Sequence, residues 1–139
     1  MRVYYEVWVD AITKIRSRPQ NAGMWKFFCM TFISMAMALN LWFLTFVLML
    51  NAKITIPFFP IHIDVFPGTR IDAFVSFFVS YLLPMLTSNY FLIFRNDRWR
   101  ELVKQYESQN GKFFLKYFLG SIGLIVVYFL VAFVIVKML

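Results

Sequence analysis

The stretch "FFCMTFISMAMALNLWFLTFVLML", Phe27 to Leu50, is an apolar run without a single charged residue. A hydrocarbon core of roughly 30 Å needs about 20 predominantly apolar helical residues, so this run is long enough to cross one. Two further runs, Ile71 to Phe94 and Phe113 to Val136, meet the same requirement. With 61% hydrophobic and 21% aromatic residues in 139, the chain lies far outside the balance of a water-soluble domain. The expected fold class is an all-α integral membrane protein with three transmembrane helices in one membrane domain, residues 1–139. No secretory leader is expected, because no short apolar core lies near Met1.

The formal charge of +7 would point to nucleic acid in a soluble protein; here the placement of the cations matters more. Arg2, Lys14, Arg16, Arg18 and Lys26 precede the first span, and Arg95, Arg98, Arg100, Lys104, Lys112 and Lys116 fall between or just inside the second and third. Only Lys53 and Arg70 lie in the first loop, and only Lys137 follows the last span. Basic residues near span ends favour the cytoplasmic side, which predicts the N-terminus inside and the C-terminus outside. Arg16, Arg18, Arg98, Arg100 and Lys104 are then the candidates for contact with anionic lipid headgroups. No nucleic-acid partner is expected.

Around the spans, residues 1–22 and 95–112 read as interfacial elements on the cytoplasmic side. Val3, Val7, Trp8, Ala11, Ile12 and Ile15 recur at helical spacing, with Glu6, Asp10, Thr13 and Lys14 on the other side. Such a helix lies in the headgroup layer or packs on the spans or a partner, and the pattern leaves both open. "DRWRELVKQYES", Asp97 to Ser108, repeats the pattern on a shorter scale, with Asn110 and Gly111 expected to terminate it. Trp25 and Trp99 are expected to mark the cytoplasmic interface, where amphipathic rings prefer to sit.

Residues 51–70 alternate apolar and polar positions on either side of "PFFP", which predicts a short outer β-hairpin. Its candidate contact residues are Phe58, Phe59, His62 and Asp64. An isolated hairpin is marginal in water, so it needs the spans, the lipid surface or a partner strand for support.

Within the spans, polar and small residues mark the expected contacts. Asn40 is costly in hydrocarbon unless its amide finds partners. Asp72, Ser76, Ser80, Pro84 and Ser88 follow at intervals of four, a stripe expected to face inward with a bend at Pro84. Gly120 and Gly123 are expected to permit a close helix crossing.

Chemistry has little foothold. The lone histidine, His62, sits with Asp64 on the polar side of the expected hairpin, and the lone cysteine, Cys29, has no partner for a disulfide or a metal spacing. No nucleophile elbow, phosphate-cradling glycine loop or HExxH is found. No catalytic residue, metal or cofactor is expected.

"MTFISMAMALNLWF", Met30 to Phe43, and "IDVFPGTRIDAFVSFF", Ile63 to Phe78, resemble small polytopic inner-membrane proteins of Bacteroidota-type bacteria. The resemblance implies a bacterial inner membrane and carries no activity with it. The expected role is a non-enzymatic accessory or assembly subunit of a larger inner-membrane complex, associated with other membrane subunits or with copies of itself. A homo-oligomeric channel or carrier with a polar path along the second span is the alternative, and a lipid-modifying enzyme a second one.

Overall fold

A computed structural model describes residues 2–52 and 69–138, and the described residues form helices and turns without a strand. Helix α1 (Arg2–Arg16) leads through a short turn at Pro19–Asn21 into α2 (Trp25–Ala52). The second span is built from α3 (Thr69–Phe77), a π turn at Phe78–Leu82, α4 (Leu83–Asn89) and a second π turn at Tyr90–Phe94. A tight turn at Arg95–Asp97, the short α5 (Trp99–Gln105) and α6 (Lys112–Met138) complete the chain. Among the described residues, three helices are long and apolar enough to cross a membrane, at Trp25–Leu50, Ile71–Asp97 and Lys112–Ile135. Their bounds lie within a few residues of those read from hydropathy. Phe58, Phe59, His62, Asp64 and the expected hairpin lie outside the described residues.

The first span is the hub, packing on the second span along one side and on α6 along another. Thr45 donates to the Trp42 carbonyl and shares a hydrogen bond with Tyr81 on the first side. On the second side Phe43 meets Tyr128 edge to face at 5.0 Å, and Phe32 meets Phe118. The main core lies at the end that carries the basic residues. It joins Trp8, Ile12 and Ile15 of α1 to Cys29, Ile33, Ile93, Phe94, Trp99 and Leu102.

α1 is held from several sides. Residues Val7 to Ile12 are all buried, which a helix lying on one face of a surface would not allow. Its buried surface goes to α2, α5 and α6. Asp10, placed by periodicity on the polar side, is 1% exposed. Its carboxylate accepts the backbone N–H groups of Gly111 (2.9 Å), Phe113 (2.8 Å) and Phe114 (3.1 Å) and the Ser108 hydroxyl (2.9 Å). The first N–H groups of a helix have no partners within it, and negative charge is favoured there, so a side chain from α1 supplies the cap for α6. Burial alone would raise the Asp10 carboxyl. The N–H groups around it and the Ser108 hydroxyl outweigh that and hold it below the ordinary carboxylate value.

A second polar joint ties α1 to both neighbouring spans. The Tyr4 hydroxyl donates to Asn89 Oδ1 at 2.8 Å, and Asn89 Nδ2 donates to Ser34 at 2.8 Å. Burial pushes the Tyr4 phenol up to about 12.

The turn into α6 explains why Asn110 and Gly111 do not end the preceding helix, as the sequence suggested. α5 stops at Gln105, and the pair instead shapes the approach to α1, with φ of 57° at Asn110 and 86° at Gly111. A Cβ on Gly111 would meet Lys14 Cγ at 2.7 Å. Gly111→Ala is therefore expected to lower stability by on the order of 1–3 kcal/mol, read as thermal unfolding in detergent. Gly23→Ala, where an added Cβ meets nothing within 4 Å, is the matched control and should be close to neutral.

The π turns alter the face of the second span. Leu83 N–H bonds the carbonyl of Phe78, and Arg95 N–H that of Tyr90, each five residues back. Each wide turn absorbs one extra residue and slips the helical face by about 100°. The stripe read at intervals of four consequently does not stay inside. Ser76 is buried and Ser80 half-buried, but Pro84 and Ser88 are exposed, and the inward face passes to Tyr81, Leu82, Asn89 and Ile93. Pro84 sits in the first turn of α4, directly after the first wide turn, where its missing N–H is accommodated.

Candidate functional site

The basic end of the bundle brings together two neighbouring segments near the N-terminus and a third more than 70 residues later. Arg16 closes α1, Trp25 and Lys26 open α2, and Trp99, Arg100 and Lys104 lie on α5; together they line a cleft of about 670 Å³. The two indoles form its wall, in edge-to-face contact at 4.9 Å. The Arg16 guanidinium lies 5.2 Å from the Trp99 ring and 5.9 Å from Trp25. Lys26 Nζ stands 5.7 and 5.8 Å from the same two rings, and Arg100 is 5.5 Å from Trp99. Aromatic faces attract these cations by about 0.5–1 kcal/mol each at exposed sites, so the rings gather positive charge without neutralising it.

Asp97 stands beside the cleft, in contact with two of its cations. It pairs with Lys26 at 3.7 Å and Arg100 at 3.4 Å and accepts the Trp99 indole N–H at 3.1 Å. Both ion pairs are half-exposed, and such pairs contribute about 0–1 kcal/mol. Four cations and no carboxylate line the cleft, which leaves it electropositive. It can hold an anion, with the indoles giving an amphipathic ligand a flat surface to lie on.

Beside the cleft, an apolar groove of about 870 Å³ runs between the first and second spans. Its mouth holds Lys26, Asn96 and Asp97, and Met30, Leu86 and Phe94 are among its deeper lining. Lys26 belongs to both hollows. A third groove, of about 540 Å³, separates α2 from α6 and is lined by Asn40, Leu44, Lys116, Tyr117, Gly120 and Ser121 among others.

Comparison with family models, with characterised proteins and with solved structures finds no match for the chain.

Of the basic residues chosen from sequence, Arg16, Arg100 and Lys104 line the cleft. Arg98 turns away, stacking on Tyr5 at 5.7 Å, and Arg18 stands exposed outside it. Asn40 donates to Ser121 at 2.8 Å and to Tyr117 at 3.4 Å, a bond from the first span to α6. Gly120 does not mark a close crossing within the chain: it is exposed, and a Cβ there, as at Gly123, would meet nothing within 4 Å. Pairing of Trp25 with Trp99 was not legible, although each was a sensible interface residue. Asp10 was placed on the solvated side and Asn89 was not singled out, since only tertiary contacts distinguish a buried polar residue from a solvated one.

Proposed function

We propose that the protein is a non-enzymatic integral membrane subunit that associates with another membrane protein through the groove between α2 and α6. The supporting observation is the state of Asn40. Its Nδ2 donates to Ser121 and Tyr117, but its Oδ1 receives no hydrogen bond among the described residues, and it sits near the middle of the first span. A polar group left unsatisfied in hydrocarbon is costly, so a donor from outside this chain is favoured there. Gly120 lies in the same groove with open space where a side chain would be, which allows a second helix to approach closely. Above it, α6 leaves Leu124, Val127, Leu130 and Val134 exposed. In this reading the basic end faces the cytoplasm of a bacterial inner membrane and the C-terminus faces outward.

Photocrosslinking residues placed at Leu44 and Leu124, on the walls of the groove, test this in native membranes. A single heterologous adduct is expected. Asn40→Leu should reduce its yield about threefold to thirtyfold, the equivalent of one interhelical hydrogen bond of about 0.6–2 kcal/mol. Adducts only between copies of the chain would favour the homo-oligomeric carrier instead. Adducts only to lipid would overturn association through this groove.

A further inference from the structure

We infer that the basic end holds one anionic phospholipid molecule, with its phosphate among Arg16, Lys26, Arg100 and Lys104 and one acyl chain in the groove between the first and second spans. Two hollows of complementary chemistry share a wall. The cleft is electropositive and flanked by indoles, whereas the groove is apolar and opens beside Asn96 and Asp97. Lys26 stands at their junction, where the phosphate of a diacyl lipid joins its glycerol and chains.

The directions agree as well. The groove follows the second span from Asp97 and Phe94 through Leu86 and Leu82 to Phe78. From residue 94 to residue 78 a helix advances about 24 Å at 1.5 Å per residue, so a chain entering beside Lys26 runs along the span toward the membrane interior. Phe27 and Tyr90 on its rim are exposed and leave the groove open on its lipid side. Asp97, at the mouth of the groove, carries the opposite sign, but its carboxylate is already engaged by Lys26, Arg100 and the Trp99 indole.

A free phosphate would use the cleft alone; a phospholipid uses both hollows. The test is native mass spectrometry of the full chain in detergent, with dioleoyl phosphatidylglycerol, dioleoyl phosphatidylcholine, dihexanoyl phosphatidylglycerol and glycerol 3-phosphate offered separately. A one-to-one adduct with the dioleoyl anionic lipid is expected, at least about tenfold tighter than with the zwitterionic one. Arg16→Gln combined with Arg100→Gln should weaken it about tenfold or more, since each cation near an anionic surface contributes on the order of a fivefold gain. Arg16→Lys with Arg100→Lys keeps the charge and should retain most of the binding, which separates lost charge from lost fold. Dihexanoyl lipid and glycerol 3-phosphate should each bind at least about tenfold more weakly than the dioleoyl anionic lipid. Equal binding of the two dioleoyl lipids, no effect of the glutamine pair, or equal binding of glycerol 3-phosphate or the short-chain lipid would overturn the inference. None of these residues lines the α2–α6 groove, so the proposed association with another membrane protein stands or falls separately.

Discussion

Asp10→Ala is expected to lower the stability of the detergent-solubilised protein by about 2–4 kcal/mol, more than a surface cap would, because it leaves the buried Gly111 N–H and the part-buried Phe113 and Phe114 N–H groups without an acceptor. Three backbone N–H groups at the start of α6 and the Ser108 hydroxyl converge on this carboxylate. Asp10→Asn should recover part of the loss, since the amide keeps one acceptor oxygen and replaces the other with a donor facing N–H groups. The pH dependence follows from the direction of the carboxyl shift. Its value is lower in the folded protein than the roughly 3.9 of an unfolded aspartate. Its contribution to stability is thus complete above about pH 5 and fades as pH falls through the depressed folded value. Thermal unfolding from pH 7 to pH 3 should show this acid limb in the native chain and a shallower one in Asp10→Asn. A native-like melting temperature for Asp10→Ala would contradict the capping role.

Asn89→Ala carries the second large effect, about 2–4 kcal/mol, combining a cavity with the loss of partners for Tyr4 and Ser34. Asn89 is 1% exposed and links α1 to the first span through its two amide atoms. Tyr4→Phe alone should cost less, since it removes one hydroxyl and leaves the Ser34 bond in place. The double variant should fall short of the sum of the two singles by about 0.5–3 kcal/mol, as expected for residues in one hydrogen-bond network. Strict additivity in thermal unfolding would show that the joint does not act as a unit.

What hydropathy could reveal in this chain, it did. The three apolar runs and the periodic N-terminal segment are legible because burial in hydrocarbon or in a core is set by composition over many residues, and single exceptions do not disturb it. Register was another matter. The intervals of four from Asp72 to Ser88 assume an unbroken helical repeat, and the wide turn at Phe78–Leu82 breaks it; Pro84, directly after that turn, announced a bend but not the one-residue slip. Asp10 looked solvated because a carboxylate on an amphipathic helix usually is; its partners lie on a helix about 100 residues later. The cleft was half legible for a similar reason. Arg16, Arg100 and Lys104 stood out as cations beside spans, but their convergence on Trp25 and Trp99 depends on where α1 and α5 dock. The glycines of α6 were read as a crossing inside the chain, and the structure shows Gly120 open to its surroundings instead.

The capping of α6 by α1 also bears on biosynthesis. The amide of Gly111 follows Asp10 by 101 residues, which at about 5–20 residues per second separates their emergence from the ribosome by roughly 5–20 s. Throughout that interval the N-terminal helix can pack on α2 but lacks the contacts with α5 and α6 that complete its seat. Locking of the basic end is consequently a late step, postponed until the start of the third span has been delivered to the bilayer.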